Sequence, residues 1–255
     1  MSSTGAKLPA KTAWRGSRGP RDLDRYFYGT LAGILGLLVF AGFGRTYYLK
    51  FLFATPPLPS LVVHAHGVVM TAWVVLFLVQ VGLVSARRVR VHQRLGYAGI
   101  GLAVLVIVMG VWTALGAARH GSTSTPTGFS QPTFSIVPLG DMLLFTLFIG
   151  GAVYFPRTPR RHKGLMFLTA VNFLPPAIGR LPITLAQAHP VLFGLGVPAA
   201  LALSGLAVDG WRHRRMDRLL LAAVLFFVAS FPVRIALMAT PVWARASSWL
   251  AALVD

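Results

Sequence analysis

Seven long apolar runs, separated by short polar or basic stretches, make up most of the chain. Each run approaches the about 20 residues that a helix needs to cross the hydrocarbon core of a bilayer. Helices are expected because isolated strands would leave backbone N–H and C=O groups unpaired in lipid. The pattern predicts an all-α, polytopic transmembrane helix bundle with seven spans, at about 26–48, 61–85, 97–118, 136–155, 165–181, 190–208 and 219–240.

The composition supports the same class. Of the 255 residues, 55% are hydrophobic and only 12% are charged, whereas about a quarter of the residues of a soluble domain carry a charge. All six acidic residues are aspartates, too few to build a solvated surface. Cysteine is absent, which excludes disulfides, thiolate metal sites and cysteine nucleophiles. We interpret the chain as an integral membrane protein.

The polar segments at the two ends divide the chain into three parts. Residues 1–25 are basic and rich in Gly, Ser and Pro, so we expect a disordered cytoplasmic arm. Residues 26–242 form the predicted seven-helix transmembrane bundle, and residues 243–255 form a short outer C-terminal tail. No secretory signal is evident, because the first apolar run follows a long basic segment and lacks a small-residue cleavage pattern.

The distribution of cationic residues predicts the orientation. With the N-terminus in the cytoplasm, six Lys or Arg fall in the arm and four in each of three inner loops, 18 in all, against five in the outer segments. By the positive-inside rule, the N-terminus is cytoplasmic and the C-terminus periplasmic. The net charge of +18 is thus spread over short loops, which argues against nucleic acid and favours anionic lipid headgroups as partners.

Ionisable side chains within the apolar runs are costly and are the natural candidates for function. Six of them fall in the predicted outer half of the bundle. One interpretation is structural: Asp141 pairs with Arg180 or Arg234 and holds helices together. The other is a functional cluster at a common depth. Its members are His64, His66, Asp141, Arg180, His189 and Arg234.

The His-x-His pair on the second run is not in itself a metal site. Positions i and i+2 of a helix point about 200° apart, so His64 and His66 can share one ion only if the chain is not helical there. His66 is the better candidate to face inward. Its face continues through Met70, Trp73 and Phe77 to Gln80, a stripe of aromatic, sulfur and amide groups.

Two kinds of cofactor chemistry fit the histidines. The first is haem b held by histidines from different helices, with arginines near the propionates. An outer pair and an inner pair would give an electron path across the membrane. The outer pair is His66–His189 near Arg45, Arg180 or Arg234, and the inner pair is His92–His162.

The second is a single copper, zinc or iron ion. Neutral imidazole suits all three metals, so the ligands do not choose among them. The ligands would be drawn from His64, His66, His120 and His189, with Asp141.

Three short motifs carry a family resemblance over about residues 61–183. They are His64-Ala65-His66-Gly67, then His92-Gln93-Arg94-Leu95-Gly96, and then RRHKGLM at 160–166. Their order resembles uncharacterised bacterial polytopic membrane proteins, and more loosely cytochrome b561-type and small oxidase-assembly membrane proteins. The resemblance implies a multi-pass protein of the bacterial inner membrane with a redox or metal-assembly role and a membrane redox partner or complex. Departing from the b561 pattern, this chain lacks the expected outer ligand on the fourth span.

Three functions therefore stay open at this point. The first is haem or metal binding for electron transfer or respiratory-complex assembly. The second is transport or binding of a small anion, with Arg180 and Arg234 as its receptor and Pro175-Pro176 as a break in the fifth span. The third is a structural subunit of a larger membrane complex. Whether the chain is an enzyme is left undecided.

Overall fold

The computed structural model describes residues 20–53, 55, 58, 60–121 and 130–253. Within those residues the chain is all-α, with no strand. The first nineteen residues of the predicted arm, and most of the connection after His120, lie outside the described part. The first helix begins at Pro20, ahead of the predicted boundary at 26, because the fixed φ of proline suits the first position of a helix.

Eleven α-helices are present in the described residues. A π-helical turn, Gly44–Tyr48, extends the first helix, and a second one, Leu192–Gly196, leads into the ninth. The last helix occupies most of the segment predicted as a tail. The helices are α1 (Pro20–Phe43), α2 (Leu61–Ser85), α3 (Val89–His120), α4 (Gln131–Phe134), α5 (Ile136–Tyr154), α6 (Pro159–Val171), α7 (Leu174–Ile178), α8 (Thr184–Ala188), α9 (Val197–His213), α10 (Arg218–Met238) and α11 (Pro241–Ala251).

Six helical segments of the described chain are long and apolar enough to span a membrane. They confirm the predicted multi-pass, all-α architecture, whereas the count of seven is not confirmed. The segments are Tyr26–Tyr48, Leu61–Ser85, Val89–His120, Pro132–Tyr154, Leu192–His213 and Arg218–Met238.

The predicted span at 165–181 is where the count differs. It folds as two short helices, α6 and α7, with a break at Asn172 and Phe173. Pro175 and Pro176 have no amide hydrogen, so the carbonyls of Val171 and Asn172 lose the donors that a continuous helix would supply. The segment is therefore apolar over the length of a span without forming one uninterrupted helix.

The broken segment lies at the centre of the molecule. Leu168, Val171 and Leu174 are almost completely buried. They belong to the main core, to which α1, α5, α9 and α10 all contribute. Phe227 of α10 is a fully buried member of this core. In hydrocarbon a broken helix is tolerated where surrounding protein shields its backbone, which is the position that this segment occupies.

A smaller cluster joins the α2–α3 hairpin to the rest. The ring of Trp73 on α2 packs edge-on against Phe145 of α5, with centroids 5.0 Å apart. Phe145 in turn lies 4.9 Å from Phe173, at the break between α6 and α7. Val106 and Met142 complete the contact. This aromatic cluster occupies the middle of the bundle.

The two ends of the bundle differ in charge. We call "the basic end" the end that carries the α2–α3, α5–α6 and α9–α10 turns. There Arg160 forms a two-pronged ion pair with Asp209, at 2.6 Å and 2.9 Å from the same carboxylate oxygen, and Arg161 bonds Asp217 at 3.0 Å. At the opposite end α11 packs on α3 and α4, and the indole Nε1 of Trp243 donates to the carbonyl of Thr133 at 2.8 Å.

Close packing of α1 on α7 gives the first prediction. A Cβ added to Gly42 would overlap the backbone of Ala177, whereas one added to Gly33 on the same helix would meet nothing. We expect Gly42→Ala to destabilise the purified protein by about 1–3 kcal/mol. Gly33→Ala should be neutral or slightly stabilising, because alanine favours a helix over glycine by about 1 kcal/mol. Thermal unfolding followed by tryptophan fluorescence measures both, and equal melting temperatures would contradict the contact.

Candidate functional site

Two histidines meet at the basic end. His92 lies in the first turn of α3 and His162 in the first turn of α6, each just after a basic turn. Their rings are 6.1 Å apart between centroids, with planes at 86°. Of the two histidine pairs predicted from the sequence, this is the one whose rings the structure brings together.

The ring of His162 is held by a backbone acceptor. Its Nδ1 lies 2.9 Å from the carbonyl oxygen of Ala152 at the end of α5. A carbonyl only accepts hydrogen bonds, so Nδ1 is the donor in this contact. Histidine metal ligands are commonly oriented in this way, by donating the other ring N–H to a carbonyl.

The surroundings of His92 contain polar atoms without partners. Its Nδ1 is buried and makes no hydrogen bond in the described residues. The side chain of Gln80, from the last two turns of α2, donates Nε2 to the backbone carbonyl of His92 at 3.2 Å. The remaining amide oxygen of Gln80 is also buried and without a partner there. Most buried polar side-chain atoms in proteins are paired, so this concentration is unusual.

The separation of the two rings is close to the one that a bridging ion would require. A metal lies about 2.0–2.1 Å from an imidazole nitrogen, and the ring centre about 1.1 Å farther on. If the two ring nitrogens face each other, a linear N–metal–N unit would therefore place the centroids about 6.3 Å apart, near the observed 6.1 Å.

Away from the basic end, the buried polar centre of the bundle is the pair formed by Asp141 of α5 and Arg234 of α10. The Nη1 of Arg234 lies 2.6 Å from Asp141 Oδ1, and both side chains are largely buried. The same Nη1 donates to the carbonyl of Val137 at 2.9 Å. Nε and Nη2 donate to the backbone and hydroxyl oxygens of Ser230. The guanidinium is thus engaged on all three of its nitrogens.

Asn172 connects this pair to the helix break. Its Nδ2 donates to the backbone carbonyl of Asp141 at 2.9 Å, and the residue is 1% exposed. The contact fixes α5 against the point where α6 ends. Together with Arg234, it links three helices through buried hydrogen bonds. This arrangement matches the structural interpretation of Asp141 better than a role as a metal ligand.

Arg180 is held elsewhere. Its guanidinium lies over the ring of Phe43 at 4.8 Å and donates to the carbonyl of Pro176 at 2.8 Å. Asp141 pairs with Arg234 and not with Arg180 in the described contacts.

The outer histidines are dispersed. His64 is exposed, and its ring lies 5.7 Å from that of Tyr47. His66 has its Nδ1 buried without a partner in the described residues. His189 is exposed where α8 ends, and His120 is exposed at the last position of α3.

These positions bear on the predicted outer cofactor sites. No ring contact joins His66 to His189 in the described chain, and the outer haem pair stays a prediction. No group of three or more His, Asp, Cys or Glu side chains gathers in that part of the chain either. The set His64, His66, His189 and Asp141 is therefore dispersed as the chain stands.

Sequence reasoning missed the ion pairs at the basic end. The cationic residues of this end predict the orientation, yet Arg160 also pairs with Asp209 of α9, and Arg161 with Asp217, the N-cap of α10. Burial raises the pKa of Asp217, but hydrogen bonds from Arg161 and from the amides of Leu219 and Leu220 outweigh it and leave the pKa below its ordinary value. The sequence holds one signal for these ion pairs: two of the chain's six aspartates, Asp209 and Asp217, lie in this basic region.

Comparisons of the chain with protein-family models, with curated proteins and with solved structures find no match.

The Asp141–Arg234 pair gives the second prediction. Asp141→Leu leaves the Arg234 charge buried and unpaired, and we expect it to lower the free energy of unfolding by about 3–5 kcal/mol. The double variant Asp141→Leu/Arg234→Met removes both charges and should recover much of that loss. Chemical unfolding of the purified protein measures both. Arg245→Met, at an exposed position of α11, is the control, and an unchanged Asp141→Leu would contradict the structural role.

Proposed function

We propose that the chain is a multi-pass protein of the bacterial inner membrane that holds haem b or a single transition-metal ion between His92 and His162, for electron transfer or respiratory-complex assembly. The contact between these two rings is the observation that carries the proposal. The oriented ring of His162 and the unpartnered Nδ1 of His92 in the described residues add to it. Imidazole is a ligand that iron, copper and zinc share.

The site lies at a depth suited to exchange with the aqueous phase. It is in the first turns of α3 and α6, next to turns that carry arginines. If the basic end is cytoplasmic, as the positive-inside rule indicates, the cofactor lies at the cytoplasmic face. A redox partner or an assembling complex would then approach it from that side.

The orientation and the seventh span belong to the same proposal. From Pro159 to Ile178 the broken segment covers about 20 residues, which at 1.5 Å each is about 30 Å, the thickness of the hydrocarbon core. Counting α6 and α7 as one interrupted span gives seven, with the N-terminus inside and the C-terminus outside. The asymmetry of cationic residues supports this odd number.

The alternative of a small-anion transporter has less support. Its receptor would be the guanidinium groups of Arg180 and Arg234. The N–H groups of Arg234 already donate hydrogen bonds to Asp141, Val137 and Ser230. The guanidinium of Arg180 is stacked on Phe43 and bonded to the carbonyl of Pro176. An incoming anion would have to displace these partners.

The cofactor gives the third prediction. Purified wild-type protein should show either a Soret band that shifts on reduction, or about one equivalent of a transition metal by elemental analysis. His162→Ala should abolish that signal because it removes one of two ligands. His213→Ala, a histidine of the same end bonded to the Asp209 carbonyl, should retain it. A wild-type protein with neither haem nor metal would contradict the proposed function.

The absence of cysteine makes the topology directly measurable. Single cysteines at Ser60 and Ser248, near the end opposite the basic end, should react with an impermeant maleimide in intact spheroplasts. Cysteines at Ser17 and Ser85 should react only after the membrane is disrupted. Ser17 and Ser248 labelled from the same side would contradict the seven-span, N-in arrangement.

A further inference from the structure

The turn between α9 and α10 presents one exposed tryptophan and three exposed arginines at the basic end. We call these four side chains the arginine turn: Trp211, Arg214, Arg215 and Arg218. We propose that the arginine turn binds the phosphate group of anionic phospholipids in the adjoining leaflet. It shares no residue with the His92–His162 pair, so its lipid binding does not depend on the proposed cofactor.

The backbone of this turn is held from its inner side by α6. Arg160 Nη2 donates to the carbonyl of Arg215 at 2.6 Å, and Arg161 Nε donates to the carboxylate of Asp217 at 3.0 Å. Asp217 also caps α10, because its Oδ1 accepts from the amide of Leu219 at 3.0 Å. The shape of the turn is therefore set by contacts that its exposed arginine side chains do not make.

The carboxylates closest to the turn in sequence are already paired. Arg160 of α6 bonds Asp209, and Arg161 bonds Asp217. The three exposed arginines of the turn make no ion pair in the part of the chain that the structure describes. Within that part their charge is uncompensated, so an anion from outside the chain would be attracted to it.

Arg214 adopts a backbone conformation that favours glycine. Its φ is 52° and its ψ 21°, in the left-handed region, which a residue with a Cβ enters only at a cost in energy. Arg87 repeats the feature at the end of α2, with φ 60°. There its N–H and that of Arg88 bond the carbonyls of Val84 and Leu83, as in the Schellman motif that glycine commonly completes.

Two helices of the same end thus carry an arginine where glycine fits the backbone better. What the arginine adds at position 214 is an exposed positive charge. Because the inner contacts already hold the turn, that charge contributes to something outside the folded chain.

The position of the turn favours a lipid headgroup over a soluble anion. It joins Leu192–His213 to Arg218–Met238, two of the segments long and apolar enough to span a membrane, and so lies at the level of the headgroups. Trp211 is 76% exposed, and tryptophan is enriched at this level because its ring is apolar and its N–H polar. Arginine binds phosphate oxygens in pairs. An exposed indole beside three arginines suits a phosphate attached to acyl chains.

The orientation of the protein does not require this arrangement. The positive-inside rule counts Lys and Arg near the ends of spans, whatever their backbone conformation. Loss of one of the 18 inner cationic residues leaves far more than the five outer ones. Arg214→Gly should therefore keep the orientation, and its effect on lipid binding can be measured separately.

Quenching of tryptophan fluorescence by brominated lipids tests the proposal. The full-length protein is reconstituted into mixed vesicles of phosphatidylcholine and phosphatidylglycerol at equal mole fraction, with bromines at shallow acyl positions of one lipid or the other. Each variant is compared with and without Trp211→Phe, so that the difference isolates the signal of Trp211. We expect brominated phosphatidylglycerol to quench this signal more strongly than brominated phosphatidylcholine, because the anionic lipid is enriched at the turn.

Arg214→Gly should lower that preference about fivefold, since one basic residue near an anionic surface contributes about 1 kcal/mol. Its melting temperature should equal or exceed that of wild type, because glycine suits the backbone at this position, so unfolding would not explain the loss. Arg214→Lys keeps the charge and should retain most of the preference. Arg245→Gln, at an exposed position of α11, should leave it unchanged.

Equal quenching of Trp211 by the two brominated lipids would overturn the proposal, as would an unchanged preference in Arg214→Gly. Inorganic phosphate added at constant ionic strength should not abolish the preference. If it did, the turn would be a site for phosphate itself and the lipid assignment would be wrong. None of these measurements requires haem or metal, so their outcome is independent of the proposed function.

Discussion

The need to pair backbone polar groups inside hydrocarbon governs this fold. A central helix is broken at Asn172 and the prolines that follow. In hydrocarbon such a break is tolerated only where surrounding protein shields the backbone. Helices α1, α5, α9 and α10 surround it. The amide of Asn172 bonds the Asp141 backbone, and Arg234 bonds both Asp141 and the Val137 carbonyl. The buried charged side chains thus form hydrogen bonds to the backbone around the break as well as to each other.

This enclosure separates the polar chemistry of the bundle into two regions. The Asp141–Arg234 pair lies on the far side of the aromatic cluster formed by Trp73, Phe145 and Phe173. The histidine pair lies at the basic end, where side chains meet water and headgroups. Ionisable residues are costly in a membrane. Under the proposed function, the histidine pair would serve cofactor binding, whereas the Asp141–Arg234 pair holds helices together.

Apolar run length predicted the membrane class, the all-α fold and six of the spans, because hydrophobic length is a property of sequence alone. It did not predict the break within 165–181, because hydropathy does not register the missing amide hydrogens of Pro175 and Pro176. The outer cluster shows a second limit. The depth of a residue along a helix can be counted from the sequence. A contact between His66 and His189 would also require that their helices be adjacent and rotated so that the two side chains face each other. The His92–His162 contact depended on the same information: both positions were evident as helix starts, while the adjacency of α3 and α6 required the tertiary structure.

The ion pairs at the basic end divide the bundle mechanically. Arg160 and Arg161 fasten α6 to the α9–α10 turn, whereas Arg87, Arg88, Arg90 and Arg94 of the α2–α3 hairpin make no ion pair in the described residues. The ring contact between His92 and His162 is one place where the hairpin meets a fastened helix at this end. In the proposed site, an ion bound between those rings would therefore tie the hairpin to α6 at the basic end, in addition to the apolar packing that already joins the hairpin to the rest of the bundle.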